Sequence, residues 1–171
     1  MTNHVAFNLN SDKTQDILNH KLWINADKMI HLDDAFMPSK IVEVNNVFDF
    51  RNEKPIKQDL FKDDPQLQIG GGYDHPYLLN GSGLRLSSKL SVCDLTLNIY
   101  TTAPALVLYI GNFMPEGMNL VEGKSLYRGS VALETQGVPN NQEFEVYQND
   151  NIITEDKPLT EKTIWEFQIS K

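Results

Sequence analysis

From residue 83 onward, apolar and polar side chains alternate with a period of two. In residues 83–90, Leu84 and Leu86 alternate with Arg85 and Ser87; in residues 93–102, Leu95, Leu97 and Ile99 alternate with Thr96, Asn98 and Tyr100. Period two over runs of this length marks half-buried antiparallel strands. The run at 163–169 puts Trp165, Phe167 and Ile169 on one face and Ile164, Glu166 and Gln168 on the other. Residues 105–110 are more continuously apolar, as in a strand central to a sheet, and 131–135 read as a further strand. Residues 114–125 form a glycine-bearing loop, and 139–141 turn the chain.

The first part of the chain is more broken. Residues 5–9 are a brief apolar run of β character. Residues 20–33 read as two short strand-like runs separated by the polar 25–28, and Pro38-Ser39 punctuates the chain before apolar runs at 41–44 and 47–50. Residues 54–64 are the one stretch with the look of a short helix, which Pro65 would end. No segment carries a helical stripe and no repeat is present. The expectation is a single all-β domain over residues 1–171, an antiparallel β-sandwich or barrel.

One stretch does not fit a plain strand pattern. Residues 70–79 spell GGGYDHPYLL, three glycines followed by an aromatic, a carboxylate and an imidazole. Glycine lets the backbone take positive φ and lie close to a ligand. Pro76 restricts His75 to an extended conformation, so Asp74 and His75 are expected in a stiff loop entering a strand. The plain alternative is a turn whose Asp74 caps its own backbone.

Composition narrows the partners. Of 171 residues 40% are hydrophobic and 22% charged, as in an ordinary globular domain able to bury a core. The net charge is −8, and nothing gathers the 15 basic residues into a patch, which argues against nucleic-acid and anionic-membrane partners and fits a small neutral or polar ligand. Cys93 is the single cysteine, so neither a disulfide framework nor a cysteine metal site is expected. Without a membrane-spanning apolar run or a signal peptide at the start, a cytoplasmic location is the default expectation.

Four local sequences stand out together: Thr2-Asn3-His4 running into Phe7-Asn8-Leu9, Gly72-Tyr73-Asp74-His75, Tyr100-Thr101-Thr102 through Gly111-Asn112-Phe113, and Leu133-Glu134-Thr135-Gln136. Their order and spacing resemble the C-terminal half of the aldose 1-epimerases, the galactose mutarotases. Asn25-Ala26-Asp27, Pro38, Phe48-Asp49-Phe50-Arg51, Pro104 and Trp165-Glu166-Phe167 extend the resemblance over essentially the whole chain.

The resemblance implies a large antiparallel β-sandwich that interconverts the α and β anomers of free aldoses. Opening a pyranose requires removing the proton from the C1 hydroxyl while delivering one to the ring oxygen, which calls for a base and an acid on opposite sides of the C1–O5 bond. By its motif, Glu134 matches the family's general base and His4 the histidine that protonates the ring oxygen. Asp74 matches the carboxylate that orients the sugar's hydroxyls, and Phe113 lines the pocket. The bare residues allow plainer roles: Glu134 as a solvent-facing strand residue, His4 as a solvated terminal one. His75 is expected to be a structural partner in the loop, with His20 and His31 satisfied or exposed. The chemistry asks for neither cofactor nor metal.

The family's enzymes are roughly twice as long, near the upper end of single-domain size. Val107 stands where the family commonly places a glutamine that touches the sugar, and Pro139-Asn140-Asn141 where it usually has proline-aspartate. Half a sandwich would expose strand edges, so a homo-oligomer or a separately encoded N-terminal half is expected as partner. A sugar-binding module without catalysis, or an inactive remnant, is the alternative function. An epimerase of phosphorylated hexoses would need clustered arginines, and Arg51, Arg85 and Arg128 are scattered in the sequence.

Overall fold

The architecture follows from the alternation. A computed structural model describes residues 2–121, 123–148 and 152–170. Its strands are β1 (Ala6–Phe7), β2 (Lys21–Ile24), β3 (Ala26–Leu32), β4 (Pro38–Glu43), β5 (Lys54–Pro55), β6 (Asp74–Leu79), β7 (Arg85–Val92), β8 (Leu95–Thr101), β9 (Ala105–Tyr109), β10 (Asn119–Leu120), β11 (Gly123–Lys124), β12 (Val131–Gln136) and β13 (Thr163–Ile169). They form a six-stranded sheet in the order β1-β12-β9-β6-β3-β4 and a five-stranded sheet in the order β13-β8-β7-β2-β5. A small β10-β11 hairpin stands apart, and every pairing within the sheets is antiparallel.

Between the sheets lies the main core. Leu22, Ile24, Leu90, Leu97 and Ile99 come from one sheet, and Met29, Tyr77, Leu106, Leu108, Val131 and Leu133 from the other. Each such side chain contributes roughly 1.5–3 kcal/mol on full burial. A second, smaller cluster of Ile30, Leu78, Ala105, Val138 and Phe144 covers part of the six-stranded sheet's outer face. The rest of that outer face carries the site described below.

Several local expectations need correction. Residues 54–64 do not form one helix: Lys54 and Pro55 make β5, and only Lys57–Leu60 is helical (α1). Pro65 does not end a helix but starts one, α2 (Pro65–Ile69). The side chain of Asp64 accepts the backbone N–H groups of Gln66 and Leu67, and proline at the first helical position forfeits no hydrogen bond. Asp27 and Lys28 do not separate two strands but lie within β3, because a bulge between Ala26 and Lys28 lets both face solvent while Ala26 and Met29 both reach the core. Pro38 opens β4, and the apolar run at 47–50 begins in a 3-10 turn, Asn46–Phe48.

At β13 the sandwich is open. Its register partners put Trp165, Phe167 and Ile169 on the same face as Ile99, Leu97 and Leu95, the face that looks into the sandwich. Leu97 and Ile99 are fully buried, yet Trp165, Phe167 and Ile169 are 39%, 56% and 73% exposed. The sheet opposite ends at the two residues of β1, whose Phe7 meets Trp165 edge-to-face at 5.6 Å.

Candidate active site

Strand register places the site. On the outer face of the six-stranded sheet, Pro76 pairs with Val107 and Val107 with Glu134, so one row runs across β6, β9 and β12. The next row holds Asp74, Tyr109 and Ala132, and Ala132 pairs with Ala6 of β1. Two residues before Ala6 the chain comes level with Glu134, and there Nε2 of His4 lies 3.1 Å from Oε1 of Glu134. The carboxylate is mostly buried and the imidazole mostly exposed. Two residues separated by 129 others in sequence thus meet because β1 and β12 are neighbours.

The segment around His4 is held by its own polar residues. Asn3 donates to Oγ1 of Thr135, and Asn8 donates to the carbonyls of Gln15 and Gly129. Buried His20 accepts the N–H of Leu9 through Nε2 at 3.0 Å. Its burial pushes its pKa down to about 4, so it is a neutral anchor.

Asp74 is the first residue of β6, within the strand rather than in a loop before it. Its carboxyl is raised to about 6, chiefly by burial and secondarily by the charge of Glu134. The ring of His75, not the Asp74 carboxylate, accepts the Asp74 N–H, through Nδ1 at 3.1 Å. Nε2 of His75 therefore carries the proton and lies 3.2 Å from Oε1 of Gln66, whose amide also exchanges two hydrogen bonds with the backbone of Leu32. His75 is fully buried against Phe48, and desolvation drives its pKa down to about 3. It serves as a structural partner, in keeping with the sequence.

Gly71 and Gly72 both have positive φ, and a Cβ at Gly72 would overlap the amide of Asn112. From that position Asn112 donates to the carbonyls of Gly70 and Tyr73, both at 3.0 Å, tying the glycine loop to the turn after β9. Next to it, Phe113 is 58% exposed, donates its N–H to Oη of Tyr109, and meets Phe36 edge-to-face at 6.2 Å. Phe36 and Asp74 share a cavity of about 170 Å³ with Val107, Pro76 and neighbouring residues.

Of the four residues singled out in the sequence, His4 and Glu134 touch. Asp74 stands one row along the same face, and Phe113 joins through Phe36. Sequence reasoning missed Phe36, Gln66 and Asn112. Asn112 sits inside a motif that carried a signal, whereas Phe36 and Gln66 carry none. Among the described residues no three His, Cys, Asp or Glu side chains gather as metal ligands.

The architecture is that of the galactose-epimerase β-sandwich. It matches the crystal structure of galactose 1-epimerase from Lactobacillus acidophilus NCFM with a TM-score of 0.75 and 29% identity, over 99% of this chain and 48% of that one. A GalM/aldose epimerase homologue from C. elegans shares the fold with a TM-score of 0.76 at 20% identity, over 99% of this chain and 51% of that one. In sequence the chain is 38% identical to aldose 1-epimerase of Escherichia coli (strain K12) over 149 residues, 82% of this chain and 42% of that protein. It is 36% identical to aldose 1-epimerase of Haemophilus influenzae over 156 residues, 87% of this chain and 45% of that protein. The family model for aldose 1-epimerase matches residues 1–152, and the chain belongs to that family. It spans somewhat less than half the length of these curated relatives.

Proposed function

We propose that this chain catalyses anomer interconversion of a free aldose, with Glu134 as base and His4 as acid. The observation that carries the reading is the 3.1 Å contact between them. The two oxygens that exchange protons in the reaction, O1 and O5, share one carbon, so an acid and a base lying side by side reach both, where the chemistry alone called for groups on opposite sides of the C1–O5 bond. Glu134 takes the O1 proton, C1=O1 forms as C1–O5 breaks, and protonated His4 gives its proton to O5. Rotation about C1–C2 and the reverse transfers close the ring as the other anomer, with all protons returned. Asp74 accepts from hydroxyl groups away from C1, and Phe113 offers an apolar face to the ring's C–H groups.

A neutral aldose is favoured over a phosphorylated one. Arg51 is held by Asp49 and Asp27, Arg85 donates to the carbonyls of Asn80, Gly83, Thr101 and Ala103, and Arg128 to that of Gly71. A cytoplasmic setting belongs to the same reading and is supported by the single, unpaired Cys93; no helix among the described residues is long and apolar enough to cross a membrane.

Polarimetry starting from pure α-D-glucose or α-D-galactose tests the proposal. The chain should exceed the spontaneous rate, and Glu134→Gln should remove the excess. A chain that binds the sugar without accelerating the change would instead be a sugar-binding module.

The open inner face at β13 supports a partner, and a second copy of this chain is the simplest. Covering Trp165, Phe167 and Ile169 would bury apolar surface that one copy leaves wet. Light scattering at micromolar concentration should give a mass above 19.5 kDa, whereas a monomer would refute self-association.

A further inference from the structure

We propose that Phe36 is a substrate-contacting residue, which with Leu32, Pro38, Pro76 and Val107 encloses an apolar subsite for the part of the aldose remote from C1. The inference rests on the sugar-epimerase reading above and adds a specificity to it. Val107 lies between Glu134 on one side and Pro76 on the other, each one strand away, or about 4.8 Å. A ring whose C1 and O5 sit at His4 and Glu134 therefore extends across Val107 into the cavity of about 170 Å³ that Phe36 lines. Asp74 is the one charged group on that cavity; the other lining residues are apolar.

The way the chain presents Phe36 supports the assignment. Phe36 is 52% exposed, although it is large and apolar. Its φ is +62°, a left-handed conformation that is strained for a bulky side chain. Asp33 enforces it: Oδ1 accepts the N–H groups of Ala35 and Met37, the Asp33 carbonyl accepts that of Phe36, and the Met37 carbonyl accepts that of Asp33. Strain held in place by surrounding bonds, with the ring left in solvent at the mouth of a cavity and edge-on to Phe113, is better suited to a ligand than to packing.

An apolar subsite discriminates by what it leaves unpaired. A hydroxyl buried there would find no partner beyond Asp74, whereas a methyl group would be at home. The aldoses favoured are those with a deoxygenated end, such as a 6-deoxyhexose.

The test titrates the ¹⁵N-labelled 171-residue chain with D-galactose and with 6-deoxy-D-galactose, followed by amide shifts, in the wild type and in Phe36→Gly. The deoxy sugar should bind the wild type more tightly. Phe36→Gly should weaken it about tenfold, as for a lost apolar pocket contact, and abolish the preference. The variant's melting temperature should equal or exceed that of the wild type, because glycine adopts this φ freely. Unchanged affinities in the variant, a wild type that prefers the parent sugar, or a sharply lower melting temperature would each overturn the role of Phe36 while leaving the epimerase reading intact. Failure of both sugars to shift any wild-type resonance would overturn the two together.

Discussion

Asp74 and His75 are neighbours on β6 whose side chains leave opposite faces of the sheet, and the ring of the second holds the backbone of the first at 3.1 Å. The carboxylate on the site face is thus positioned from the core face, through His75 and on to Gln66. Replacing His75 with Leu keeps the bulk but strands the Asp74 N–H and removes one of the bonds that Oε1 of Gln66 accepts, leaving Gln66 its two bonds to Leu32. We expect a loss of about 2–4 kcal/mol in urea unfolding, from unpaired buried groups and imperfect packing. The wild-type ring should show the neutral Nε2–H form in ¹⁵N spectra at every pH where the fold survives; protonation near pH 6 would refute this.

Asp74→Asn removes a charged acceptor that would bind sugar hydroxyls. Such a bond contributes about 1.5–3 kcal/mol, so sugar affinity should fall roughly tenfold to a hundredfold. Any effect on kcat should be smaller than that on KM. In the wild type the acceptor is lost as pH falls through about 6, where Asp74 takes up a proton. Affinity measured by titration should drop across that range in the wild type and stay level in the variant.

Fold stability should fall in acid before the ordinary carboxylates titrate. Unfolded histidines bind protons below about 6.5, whereas native His20 and His75 refuse them until about 4 and about 3. The unfolded state therefore binds two more protons, and stability is lost as pH drops. Asp74 works in the opposite sense, since its native form takes a proton near 6 and the unfolded form only near 3.9. Among these three groups the balance is about one proton, or about 1.4 kcal/mol per pH unit between roughly pH 5.5 and 4.5, and His31, lowered by its own burial, adds to it in the same sense. Urea titrations across that window should give this slope, and Asp74→Asn should steepen it toward two protons.

Gly72→Ala tests the loop. The added Cβ meets Asn112, whose amide holds Gly70 and Tyr73, and the φ of +137° suits only glycine. A cost of about 2–4 kcal/mol is expected from strain and broken buried bonds. Sugar affinity should suffer as well, because Asp74 and Phe113 are joined through this loop.

Legibility followed periodicity. Strands β8 and β13 were readable because alternating side chains must match a two-faced sheet, and β9 because a continuously apolar run suits a central strand. The β3 bulge was not, since it reverses the alternation that a reader relies on. Asp64 before Pro65 is a start signal, but the apolar content of residues 54–64 masked it. His4 and Glu134 could be paired through family motifs; nothing in their local sequence says that β1 lies beside β12. Phe36 escaped notice because a lone aromatic in a turn has no period, and its left-handed backbone is imposed by Asp33 rather than announced by glycine.

The strand that follows His4 is two residues long and lies at the edge of its sheet. Such a segment can detach at lower cost than the central strand that carries Glu134, so the two halves of the proposed acid–base pair differ in how long they survive heating. The proposed acid would depart while the proposed base, the sandwich and its circular dichroism remained. On that proposal, working temperature is set by an edge of the sheet rather than by its core, and a staple across β1 and β12 would raise that limit with little change in global melting.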